Sequence, residues 1–417
     1  MVRLRQPKPR HRAVILWLLA AALVPLVACR RAAPTAKLFD PSQVAFSATY
    51  NPLFDSQLYP SMILATTSTS QPPAETFTAT LTSPADNAVL RIVIDSSSLN
   101  YVTIFQEILP RRGQTYTFQP SIKWKYDQLR SLRQPRTIDL TFTCYINDEE
   151  VDIKNLHLNC RSVNECPLSL LYQGRTTDFR YLFAAYVNED HPQIEQILAD
   201  ILAQGTVSRF SGYQNGPESV RRQVFSIWYY ILNRGIAYSS ITCTSNPSPR
   251  ANVQHIRFFD EVWETRQANC VDACVFFASI LRKIGLKPVI FVEPCHAYLG
   301  YYTDKNRRHL ELLETTITAW VNFPDIERNL RDDGLLDDAQ FLKISKYLDD
   351  KDIERYHNHQ LDIDALKLAV ARNLFSKATD YDRETYQANL AHFADTASIT
   401  YQRLDIEQLR QSVQPIN

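Results

Sequence analysis

The chain has 417 residues, with 45 basic, 45 acidic and 45% hydrophobic side chains. That length exceeds one ordinary domain and predicts two or three, and the hydrophobic share is that of a globular protein. Zero formal net charge, with no dense basic stretch beyond the N-terminus, excludes nucleic acid as the main partner.

The first residues read as a targeting segment rather than as fold. Arg3, Arg5, Lys8, Arg10 and Arg12 form a positive region, and residues 13–28 are an apolar run of 16. The run is short for a spanning helix and has the length of a secretory signal. Leu26-Val27-Ala28-Cys29 resembles a bacterial lipobox. The resemblance implies a signal peptide over 1–28 and a lipid on Cys29 as the mature N-terminus. An uncleaved anchor or ordinary secretion would also export the body. Arg30 follows Cys29 in place of the Asp that resembles an inner-membrane retention signal, which points to the outer membrane or surface of a bacterial cell envelope.

Export sets the cysteine arithmetic. Without Cys29, seven of the eight cysteines remain, and an odd set in an oxidising compartment leaves at least one thiol free. One pair is expected among Cys144, Cys160 and Cys166.

Residues 29–74 are expected to be a tether, because Ala32-Ala33-Pro34-Thr35 and the Thr/Ser/Pro stretch at 66–73 cannot build a core. Between them, residues 50–64 carry Tyr, Leu, Phe and Ile and are expected to pack on the body. Residues 75–168 show strand signals at 77–81, 89–94, 101–108, 116–124 and 138–145. Turns separate them at Pro84-Ala85-Asp86-Asn87, Arg111-Arg112-Gly113 and Asn147-Asp148. Short strands at this spacing predict an antiparallel β-sandwich of immunoglobulin-like type, serving as a spacer or binding module.

Residues 169–325 change character. Pro192 opens a helix, and Pro217 opens a second with Val220, Val224, Ile227, Trp228, Ile231 and Leu232 on one stripe, closed by Arg234-Gly235. A third helix is expected over 270–284. Asn269 is its N-cap, Asp272 sits at N3, Arg282 and Lys283 fill the last turn, and Gly285 ends it. Cys270 falls at its first position, where free N–H groups and the helix dipole favour the anionic form of a thiol. A buried strand follows at 289–292, then an extended segment at 295–302 and a returning strand at 309–316. A three-residue tip, Asp304-Lys305-Asn306 with Asn306 left-handed, would oppose His296 to Glu314. Their Cβ atoms would then lie about 4.5–5.5 Å apart. A thiol on a helix start, an imidazole on a strand and an acid beside it are the parts of an activated cysteine: nucleophile, base and orienting group.

Each of these residues alone is explained by packing. A zinc site from Cys270, Cys274, Cys295 and His296 is the sharper rival, but neighbours on a strand point to opposite sides. Tyr356-His357-Asn358-His359 holds two histidines without further spaced ligands. No cofactor or metal is expected. Residues 326–417 read as a polar, helical extension, with packed helices near 365–375 and 385–393.

Asn269-Cys270-Val271-Asp272, Phe276-Phe277-Ala278-Ser279, Gly285, Pro294-Cys295-His296-Ala297 and Glu314-Thr315-Thr316 resemble the transglutaminase-like superfamily over residues 217–321. The resemblance implies an α+β, papain-like core with a catalytic triad. Cys270 would be the nucleophile, His296 the general base and Glu314 the orienting acid. Glu stands where the family commonly has Asp, and Gln267-Ala268-Asn269 replaces a Gly common before the Cys. Trp263, Gln254 and His255 lie on the approach to Cys270 as candidates for assisting an oxyanion. The implied activity is that of a lipid-anchored peptidase or amidase, acting by thioester acyl transfer on envelope peptides or proteins. The alternative is a catalytically inactive binding or structural module of the same fold.

Overall fold

Alternating apolar and polar residues build the N-terminal half. In the structure, a computed structural model, residues 39–66, 77–240, 248–330, 336–381, 383–395 and 398–416 are described. The chain divides into two units, Met1–Asp40 and Pro41–Asn417, and every element below belongs to the second. Cys29 and the segment around it lie outside the described residues.

Strands β1 (Phe46–Tyr50) and β2 (Gln57–Leu58) precede helix α1 (Pro60–Ala65). Then come β3 (Phe77–Thr82), β4 (Ala88–Ile94), β5 (Thr103–Leu109), β6 (Thr115–Phe118), the short α2 (Tyr126–Arg130), β7 (Arg136–Ile146) and β8 (Glu149–Cys160). They form two sheets, ordered β1-β3-β6 and β2-β8-β7-β4-β5. Every second residue of β3 and β4 is buried. Phe77 of one sheet meets Phe142 of the other with ring centroids 6.0 Å apart. The two inner faces interdigitate in this way as a sandwich. The β7–β8 hairpin turns on Asn147 and Asp148, both at positive φ (51° and 66°), the geometry that matches strand twist. Strand β8 was not foreseen. Only Leu158 and Cys160 of it are buried, so its apolar signal is weak.

Two expectations are corrected here. Within the predicted tether, β1 pairs with β3 along five residues, β2 pairs with β8, and α1 buries Met62, Leu64 and Ala65. Alternation at Phe46, Ala48 and Tyr50 supplies the buried face. Nor does a disulfide join any two of Cys144, Cys160 and Cys166, all three of which are buried. The β7–β8 register sets Cys144 opposite Asp152 and Cys160 opposite Arg136, at distant points of the ladder. Burial pushes the Cys144 thiol up to about 12. Cys243 lies outside the described residues.

The chain leaves the sandwich through β9 (Glu165–Tyr172) and β10 (Arg175–Asp178), and reaches α3 (Pro192–Ala203) and α4 (Gly216–Arg234). Gly235 closes α4 in the left-handed region, at φ 70°. Next are β11 (Ala237–Tyr238), β12 (Ala251–His255), α5 (Phe259–Thr265), β13 (Gln267–Ala268), α6 (Cys270–Lys283), β14 (Pro288–Glu293), β15 (His296–Tyr302) and β16 (Leu310–Leu313). A 3-10 helix, Thr315–Trp320, leads to α7 (Phe323–Arg328), α8 (Asp338–Ser345), α9 (Asp350–His357), α10 (Ile363–Asp380) and α11 (Arg383–Ala394). The last elements are β17 (Gln402–Asp405) and α12 (Ile406–Leu409). The molecule is α+β.

The central sheet is antiparallel with order β16-β15-β14-β17. Helix α6 packs on β14 and β15. Across the sheet, Phe393 and Tyr386 of α11 meet Phe291, each with ring centroids 5.2 Å apart. Gly300 permits that packing, since a Cβ there would stand 2.8 Å from the Phe291 ring. The C-terminal region is therefore not helical throughout: β17 pairs with β14 from Val289 to Val292. Contacts cross both expected boundaries, with β9 pairing to β12 and Gln414 bonding to Leu64 and Ala65. Among the described residues, no helix is long and apolar enough to cross a membrane.

Candidate active site

Helix α6 begins at Cys270 because Asn269 caps it. The Asp272 N–H donates to Asn269 Oδ1 (2.8 Å), and the Asn269 N–H donates back to Asp272 Oδ2 (3.0 Å). This is the reciprocal bonding of a capping box. Asp272 is fully buried and also accepts from the Arg257 N–H (2.8 Å) and guanidinium (2.7 Å). Burial pushes its carboxyl above the ordinary range, against the pull of those hydrogen bonds. The sequence marks Asp272 as a capping residue, but nothing local announces Arg257. Every residue from Val271 to Leu281 is buried, whereas Cys270 is partly exposed. The helix is thus apolar all round, as a core helix is, and presents its first side chain outward.

His296 is the first residue of β15, placed there by the turn Pro294-Cys295. Its side chain is 29% exposed, and its Nε2 lies 2.7 Å from Glu314 Oε2. That leaves Nδ1 for the Cys270 thiol. The hydrogen bond with Cys270 is the main cause that raises the imidazole's basicity. The bond to Glu314 is the second, burial opposes both, and the result lifts His296 to about 11.

Glu314 is 1% exposed and sits one residue past β16, at the N-cap of the 3-10 helix. Its Oε1 accepts from the Thr316 N–H (2.8 Å) and hydroxyl (2.6 Å). Its own N–H donates to the Ala378 carbonyl of α10 (2.8 Å), so the C-terminal helices hold the acid in place. His296 and Glu314 meet, but not by the expected register. Leu299 opposes Leu313, two residues away from the predicted alignment. Asp304 causes the shift. Its carboxylate takes the N–H groups of Asn306, Arg308 and His309, and Arg307 rather than Asn306 is left-handed, at φ 60°. A two-residue shift keeps each side chain on its face. The contact survives for that reason.

The zinc alternative finds no shared sphere. The Cys274 sulfur lies 3.8 Å from Thr315 Oγ1, and Cys295 is exposed in its turn at φ 63°. Among the described residues, no group of three or more His, Cys, Asp or Glu is arranged to hold a metal ion. Of the three residues on the approach, Trp263 is engaged elsewhere, whereas the buried Nδ1 of His255 has no hydrogen-bond partner. Trp263 stacks on Tyr230 and lies under the Arg234 guanidinium, 4.2 Å away. Gln254 donates to the His255 carbonyl, and burial lowers the basicity of His255.

Beside the triad runs a narrow cleft, walled by Tyr238, Asn269, Ala273, Thr315, Thr316 and Thr318. The space open to the centre of a water molecule is about 10 Å³, which is room for one. Strand β11 forms one lip by pairing in parallel with β13, directly before Asn269. Tyr238 is half exposed there, and its hydroxyl's acidity is weakened first by desolvation and then by the charges of Cys270 and Glu314. Neither this cleft nor a wider depression of about 490 Å³, at Leu53, Tyr172, Gln173, Arg175 and Thr177, is lined by any of the three candidate residues themselves. No protein-family model matches this chain, and no curated protein compared with it does.

Proposed function

We propose that this chain is an exported, lipid-anchored cysteine enzyme of transglutaminase-like type, carrying an immunoglobulin-like sandwich and a C-terminal buttress. It would act as a peptidase or amidase on peptides or proteins of a bacterial cell envelope. One observation carries the reading: Nε2 of His296 lies 2.7 Å from a buried Glu314, and Cys270 is near enough to raise the imidazole's basicity. An imidazole tied to an acid that is itself held by Thr316 and Ala378 is oriented for proton transfer.

In this reading the Cys270 sulfur bonds to the substrate's acyl carbon and the carbonyl pair moves onto oxygen. The pair returns as the amine leaves with the proton of His296, which leaves a thioester. Water then attacks. His296 takes a proton from it, the thiolate leaves and a carboxylic acid is released. Glu314 holds the ring and balances the imidazolium charge without taking the proton. Hydrolysis is preferred over amine transfer because no residue marks a site for an acceptor amine.

The test uses a control built into the molecule. Cys295 is the more exposed thiol, and Cys270 is the one at the start of α6. Brief iodoacetamide treatment at pH 6, with the adducts mapped by mass, is expected to label Cys270 ahead of Cys295. Labelling of Cys295 with Cys270 inert sinks the enzyme reading and leaves a non-catalytic binding module.

A further inference from the structure

We propose that the side-chain amide of Asn269 is the second oxyanion donor of this site, acting beside the Cys270 backbone N–H on the carbonyl oxygen of an acyl substrate. The inference rests on Cys270 being the nucleophile.

Asn269 is only 5% exposed, and its Nδ2 is buried with no protein acceptor. Which end of the amide is nitrogen is settled by the cap. The Asp272 N–H needs an acceptor, so Oδ1 must face it and Nδ2 must face away. The residue lines the cleft beside the triad, whose width suits one oxygen atom. The other donors on that wall are engaged. The Thr316 hydroxyl donates to Glu314, that of Thr318 donates to the Thr315 carbonyl, and Thr315 Oγ1 contacts the Cys274 sulfur. Tyr238 is 51% exposed. Among the side chains that line the slot, Asn269 is the one whose buried N–H has no partner. A buried donor without a partner calls for an explanation, and one fixed before the reaction is what stabilises a developing oxyanion.

The test separates oxyanion stabilisation from thiol reactivity. In acylation by p-nitrophenyl acetate, sulfur bonds to the acetyl carbon and the carbonyl pair moves to oxygen. It returns as p-nitrophenolate leaves. Methyl methanethiosulfonate instead transfers its CH3S group to sulfur with methanesulfinate leaving, and no oxyanion forms. Asn269→Ser keeps an N-cap and loses the amide donor; Asn269→Asp keeps cap and shape and loses the same donor. In both variants, checked as folded by thermal melts, the ratio of acylation rate to thiosulfonate rate is expected to fall about 100-fold. A ratio within about threefold of wild type overturns the assignment, as does an equal fall of both rates, which a mere cap would produce. A wild type that the thiosulfonate modifies at Cys270 but the ester does not acylate overturns the oxyanion hole and leaves the nucleophile standing. A wild type that neither reagent modifies at Cys270 overturns the nucleophile, and this inference with it.

Discussion

Glu314 shows how much rests on one carboxylate. It holds Nε2 of His296, so the imidazole's other nitrogen is free to exchange a proton with Cys270. Glu314→Gln keeps the shape and still accepts from Thr316, but the new amide donates to Nε2. The ring's proton then moves to Nδ1, the nitrogen that must receive the thiol's. We expect alkylation of Cys270 at pH 6 to slow at least about tenfold, equal to about 1.4 kcal/mol of barrier. Stability carries a second signature. The folded pKa of His296, about 11, lies above its unfolded value near 6.5. The imidazolium's contribution is whole below pH 6.5 and drains away as pH rises toward 11. Without the carboxylate the folded pKa is lower and the drain starts earlier. The gap in urea midpoint between wild type and Glu314→Gln is therefore expected to be larger at pH 6 than at pH 10. Equal gaps would mean that the carboxylate does not support the ring's charge. The meeting of His296 with Glu314 and the place of Cys270 at the start of α6 were legible from residue type and order. Arg257 under Asp272 and the Ala378 carbonyl under Glu314 were not, because they join positions far apart in sequence through groups any residue or any Arg supplies.

Among the elements, α6 was the most legible, since both of its ends are written in local chemistry: the Asn269 and Asp272 box, the basic last turn and Gly285. The hairpin after it was legible in face but not in register, because the Asp304 turn is closed by side-chain bonds that a loop-length rule does not contain. The tighter turn between β14 and β15 makes a separate point. Pro294 fixes its first central residue, and Cys295 follows at φ 63°, where a side chain costs a non-glycine residue about 1–2 kcal/mol. Glycine takes that conformation freely but loses more freedom on folding. The balance favours Cys295→Gly by about 0.5–1 kcal/mol. Urea denaturation should show it, while Cys295→Ala, with the same Cβ, should leave the midpoint where it was. Equal stabilisation by Ala would trace the effect to the thiol rather than to the backbone.

At the scale of the whole molecule, the C-terminal segment ties together regions that the sequence presents as separate. Strand β17 borders β14, the neighbour of the strand that carries His296. Arg410 pairs with Glu189 and donates to the carbonyls of Ala184 and Val187. The Ile416 N–H donates to the Ala185 carbonyl and that of Gln414 to Ala65, beside the sandwich. None of this was legible, since a four-residue strand of Gln402-Arg403-Leu404-Asp405 has little apolar pattern and its partner lies over a hundred residues away. Leu404, Ile406, Val413 and Ile416 are all buried. At about 1.5–3 kcal/mol for each side chain, their loss would remove about 6–12 kcal/mol, comparable to the whole stability of an ordinary domain, about 5–15 kcal/mol. A chain ending after Ala394 is therefore expected to lose its cooperative thermal transition, together with selective labelling of Cys270 over Cys295. The measurements are a melt followed by circular dichroism and the same pH 6 alkylation. A truncated chain that melts at the wild-type temperature and still directs iodoacetamide to Cys270 would show that the segment is an appendage and the sheet that carries His296 is complete without it.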